Sequence, residues 1–186
     1  MAHGTERGEF RPCVRTEAEK YMDVRAIFGL SVAFSFIAFG LVTRLFILPR
    51  VRTLHRSDAL AALIVFHAFR FVGLSFLVPG VAAPSFPSAF AAPAAYGDLA
   101  TTILAVASVL ALIGRASWAT GLVWVFNVWG TVDLLYAFYE ALFGIPNFDV
   151  RAFGATFYLV TVYVPALLIT HGLIFSLLLR PRGKTR

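Results

Sequence analysis

His67 and His171 are the residues of this chain with the most chemistry in them, because each stands deep inside a long apolar run. His67 lies nine residues past Asp58, at the basic end of its run, and His171 lies nine residues before Arg180, at the basic end of another. At ~1.5 Å rise per residue, both imidazoles fall roughly 14 Å from the same membrane face. Ionisable groups at that depth are costly and are kept mainly where they pair or work. Neutral imidazoles on two facing helices are suitable axial ligands for a b-type haem, or ligands for another metal ion. Such a protein would transfer electrons or sense a redox-active molecule, and Arg70, one turn from His67, would neutralise a haem propionate.

Arg70 itself demands a partner. It shares a helix face with His67 in Phe66-His67-Ala68-Phe69-Arg70-Phe71, spaced i,i+3. Counting along the next span but one brings Asp133 within an arginine's reach of the same depth, which predicts an Arg70–Asp133 ion pair. Asn127 falls in the layer of the two histidines. Gly130, Asp133, Ala137 and Glu140 recur on one helical face, so a carboxylate stripe runs from mid-membrane to the surface, as a proton path or cation entry would require. The first alternative to haem is therefore a binding protein or isomerase for a lipid-like small molecule. His67, Arg70, Asn127, Asp133 and His171 would line its cavity, and a histidine and a carboxylate would move protons. The second is a non-catalytic subunit of a membrane complex, or a homo-oligomer, in which these groups fix helix register or relay protons.

The elements that carry these residues are membrane helices. The 186 residues are 59% hydrophobic and 14% charged, with mean hydropathy +0.80. Soluble domains are near 45–50% apolar and about 25% charged. Five apolar runs approach or exceed the ~20 residues that cross ~30 Å of hydrocarbon. The expected fold is an all-α bundle of five transmembrane helices, at about 26–48, 58–78, 97–114, 118–143 and 152–179. A tail at 1–25 precedes this single domain at 26–179, and a basic tail follows at 180–186. Residues 14–25 could form a short interfacial helix, and the first 25 residues lack the apolar core of a signal peptide.

Charge orients the bundle. One side collects nine basic residues, including Arg50, Arg52, Arg56 and Arg180, against Asp58 alone; the other carries six basic against eight acidic residues. The positive-inside rule then places the C-terminus in the cytoplasm and the N-terminus outside, in a bacterial inner membrane. The basic patch orients the protein in the lipid bilayer and calls for no nucleic acid. The stretch from Pro79 to Asp98, with four prolines among aromatics, reads as an interfacial loop or as a lid over the outer mouth. Asp98 reads as the N-cap of the third span, whose alanines suit close packing; Gly154 and Gly172 read as helix contacts. Pro165 predicts a kink before His171. The single cysteine, Cys13, excludes an internal disulfide and cysteine-rich metal clusters. Lys20 and Lys184, the only lysines, lie outside the spans and exclude a retinal Schiff base. No phosphate-binding glycine loop, His-Glu-x-x-His or Gly-x-Ser-x-Gly is present.

Overall fold

The computed structural model describes residues 23–145 and 149–180; the proposed interfacial helix and the basic tail lie almost wholly outside them. The described residues are helical, with no strand among them. Five helices are long and apolar enough to cross a membrane: α1 (Val24–Thr53), α2 (Arg56–Leu77), α3 (Ser88–Ile113), α4 (Ala119–Tyr139) and α5 (Leu159–Leu178). A cluster holding Val51, Leu60, Leu112, Ala119 and Leu178 gathers one end of every helix. Phe28, Phe76, Phe90 and Phe153 form a second cluster at the opposite end. At the first end, Arg56 Nη2 donates to Leu178 O at 2.9 Å, placing a cation on the C-terminus of α5. Large apolar side chains such as Phe34, Ile103, Leu110 and Val132 stand exposed around the bundle, where lipid would cover them.

α3 packs against both α2 and α4. Between buried Phe90 and Leu112 at its two ends, its buried residues Ala91, Ala95, Asp98, Thr101, Ala105, Ser108 and Ala111 recur every three or four positions and are small. Lipid supplies no hydrophobic force between helices, so close approach along such a stripe supplies the attraction.

α2 changes winding midway. It is α-helical to Ile64 and a 3-10 helix from Val65 to Leu77. With three residues per turn, side chains at i and i+3 eclipse. The buried residues of this stretch are His67, Arg70, Gly73 and Phe76, one every three positions. An α-helix would carry that set roughly 60° further round at each step, turning its ends to opposite faces.

Three boundaries differ from those expected of the sequence, two of them at prolines and the third because the positive φ of Gly154 interrupts the helix between Ala152 and Leu159. α3 begins at Ser88, not Gly97, and contains Pro93. So close to the helix start, Pro93 removes only the N–H that would bond Ala89 O, and the helix continues through it. The first span runs on through Pro49 to Thr53, and the last begins at Leu159 rather than Ala152. Each has a π-helical turn just ahead of its proline, Thr43–Ile47 before Pro49 and Leu159–Tyr163 before Pro165. The wider turn takes up the missing hydrogen bond and the ring's bulk.

Residues 79–86 link α2 to α3 and are tied down by backbone bonds: Ala83 N donates to Ala152 O at 3.0 Å, and Ala155 N to Val81 O at 2.9 Å. Phe86 stacks on Phe76 with centroids 5.6 Å apart, and Phe153 meets Phe86 at 5.5 Å. Proline-rich chain and aromatics thus cap one end of the bundle. Gly154 turns the chain here with φ +54° and ψ −130°, and a Cβ on it would lie 2.5 Å from Val81 O. Gly172, by contrast, touches nothing that a Cβ would meet, so it is not the helix contact the sequence suggested. Gly154→Ala is therefore expected to cost about 1–3 kcal/mol. Gly172→Ala should leave stability unchanged or slightly raise it, both read from unfolding of the detergent-solubilised protein in SDS.

Candidate functional site

Arg70 is fully buried between α2, α3 and α4. Its Nε donates to Asp98 Oδ1 at 2.6 Å, its Nη2 to Asp133 Oδ2 at 2.5 Å, and its Nη1 to Gly130 O at 3.1 Å. Nη2 also lies 2.6 Å from Asp98 Oδ1. One guanidinium therefore holds two carboxylates from two other helices. Asp98 is not an N-cap: because α3 starts at Ser88, it stands in the middle of that helix, buried and facing α2. Two signals pointed to it, its place in the small-residue stripe and the demand of a buried arginine for every available acid.

Two glycines open the space that these carboxylates fill. A Cβ on Gly73 would overlap the Asp98 carboxylate, and one on Gly97 would overlap that of Asp133. A cavity of about 30 Å³ adjoins both acids, lined also by Phe76, Phe90 and Leu134. That holds one or two waters. A separate, smaller cleft of about 10 Å³, at the lower limit for one water, lies among Pro93, Asp133, Tyr136 and Glu140.

The structure brings His67 and His171 together. Their rings touch, with centroids 4.2 Å apart and planes inclined at 51°. Phe126 packs against both, at 5.2 and 5.4 Å. A Cβ on Gly130 would lie 2.8 Å from His171 Cε1 and equally close to Thr101, so this glycine admits the ring while its carbonyl receives Arg70.

The hydrogen bonds define the tautomers. Asn127 Nδ2 donates to His171 O at 3.3 Å, which turns Asn127 Oδ1 toward His171 Nδ1 at 2.7 Å. An amide oxygen only accepts, so His171 Nδ1 carries the proton and Nε2 is a bare lone pair. Thr170 Oγ1 donates to Leu167 O at 2.8 Å, shared with Ala166 O at 3.1 Å, and lies 2.9 Å from His67 Nε2. With its proton turned to those carbonyls, the hydroxyl accepts from His67 Nε2–H, and His67 Nδ1 is bare. His67 Nδ1 and His171 Nε2 are both buried without a protein partner. A buried polar atom left in this way marks a functional role or an associated water or ion.

A model of a domain of unknown function, DUF8737, matches residues 27–179. The chain belongs to this family. The match runs from the start of α1 to the end of α5 and includes every residue of the cluster. No curated protein and no solved structure matches the chain.

Two imidazoles on opposite sides of one iron, with nitrogens at ~2.0 Å, put their centroids roughly 6 Å apart. At 4.2 Å the rings leave no place for a porphyrin between them, so the arrangement does not fit a haem on His67 and His171. Among the described residues, no group of three or more His, Cys, Asp or Glu is placed to hold a metal ion. At the polar cluster, His67, Arg70 and Asn127 are fully buried, and the cavity beside Asp98 and Asp133 is about 30 Å³.

Arg70→Ala should be the most damaging single change, costing about 3–5 kcal/mol, because it strands two carboxylates in low dielectric. Asp133→Asn should cost less, since Asp98 and Gly130 O still hold the guanidinium. A double-mutant cycle in SDS unfolding should give Arg70 a favourable coupling to Asp98 and to Asp133 separately; a zero coupling at either acid would remove it from the cluster.

Proposed function

We propose that the chain is a multi-pass protein of the bacterial inner membrane, with its N-terminus outside and C-terminus in the cytoplasm, that takes up and passes on protons at a mid-membrane polar cluster. The orientation rests on the excess of arginine at one end of the bundle. The function rests on one observation above all: a single buried guanidinium faces two carboxylates, beside two imidazoles with bare, buried nitrogens. The carboxylates outnumber the cation, so with both ionised the cluster is one positive charge short. Low dielectric makes that shortfall costly, and a proton is the smallest species that removes it. Asp133 borders both small clefts, and the one that reaches Glu140 marks the side from which protons would arrive. The two bare nitrogens provide a second place for a proton, one helical turn deeper along α2.

A metal ion is the second reading, favoured by those same nitrogens, since neutral imidazole is a common metal ligand and an ion held from one side of both rings needs less separation than a haem. The test is proton uptake by proteoliposomes carrying an internal pH-sensitive dye, driven by a potassium diffusion potential. Wild-type protein should acidify the lumen, and Asp133→Asn and His171→Ala should each slow this at least tenfold. Asp58→Asn, outside the cluster, should leave the rate within twofold. A wild-type rate no greater than that of protein-free vesicles sinks the proton reading. Stoichiometric zinc or copper in the purified protein, lost in both His67→Ala and His171→Ala, would move the assignment to metal binding.

A further inference from the structure

A spacious site lies away from the polar cluster. A groove of about 470 Å³ opens between α1, α2 and α5 at the arginine-rich end. This falls within the ~300–1,000 Å³ of small-molecule sites. Its wall on α1 extends from Phe39 to Leu54, roughly 22 Å along the helix axis by its rise per residue. The lining is apolar apart from Thr43, Thr170 and Arg50, and no acidic side chain is in it. Arg50 stands at the arginine-rich end of the groove, exposed, with Nη1 donating to Phe46 O at 3.1 Å. That bond holds the guanidinium beside Phe46, itself part of the groove wall. The π-helical turn Thr43–Ile47 forms part of the same wall, and such turns recur at functional sites.

We infer that this groove binds one long-chain carboxylate, its tail lying along α1 and its head on Arg50. The guanidinium fork matches a carboxylate in two parallel hydrogen bonds. The inference is independent of proton handling at the cluster, because neither Arg50 nor the groove's apolar wall takes part in it.

The experiment is photolabelling of the purified full-length protein by hexadecanoic acid bearing a diazirine near its methyl end, with labelled residues read by mass spectrometry. Label is expected around Phe39, Val42 and Ile169. Arg50→Gln should reduce labelling at limiting probe at least fivefold. Ala62→Trp, which fills the groove from an exposed position, should do the same; Arg52→Gln should not. Unlabelled hexadecanoate should compete, and hexadecanol should not. Labelling that is indifferent to Arg50→Gln, or competed equally by hexadecanol, would overturn the carboxylate site. Competition by phosphatidylglycerol as strong as by hexadecanoate would overturn it in favour of a bilayer lipid.

Discussion

The buried guanidinium of Arg70 is the constraint on which the rest of this bundle depends. A charged group in the middle of a membrane helix must be met in three dimensions, and Arg70 is met from α3 by Asp98 and from α4 by Asp133 and Gly130 O. Three helices are thereby fixed in height and rotation at one point. A shift of either partner helix by a single turn would move a carboxylate roughly 5 Å and leave charges unpaired in hydrocarbon. Apolar packing tolerates such slippage far better, since one small-residue stripe resembles another.

Local structure is bent to serve this point. The 3-10 winding of α2 keeps His67, Arg70, Gly73 and Phe76 in one line facing inward, which ordinary α-helical winding would not do. Poorer hydrogen-bond geometry over thirteen residues is accepted in return for that alignment. Gly73, Gly97 and Gly130 then stand where any side chain would collide with Asp98, Asp133 or His171. Charge, winding and absent side chains are one solution to the same packing problem, and substituting any of them disturbs the others.

The two histidines and the apolar groove lie on the other side of that anchor. His67 is tied by Thr170 to α5, and Thr170 also lines the groove. His171 is tied by Asn127 to α4. Hydrogen-bonded side chains therefore reach from the groove wall to the ring pair, and the ring pair sits against Gly130, whose carbonyl Arg70 holds. The aromatic cap formed by Phe76, Phe86, Phe90 and Phe153 closes the opposite end, above the small cavity at the acids.

By itself, the sequence determined the number of apolar helices and the depth of each polar group within them. Hydropathy is additive along a single run, and helical rise converts residue count directly into height. The same arithmetic put Arg70 and Asp133 at one level and His67 and His171 at another. It does not locate the start of α3, because proline ordinarily breaks a helix and only its place in the first turns makes Pro93 tolerable, so Asp98 looks like a cap in the sequence and stands mid-helix in the fold. Rotation about each helix axis was decided only by tertiary structure. Rotation is set by the sum of contacts with several neighbours at once, and no single run contains it. The second carboxylate on Arg70, the contact of the imidazoles that leaves no space for a porphyrin, and the groove beside α1 all follow from rotation and spacing, so none could be read from the chain alone.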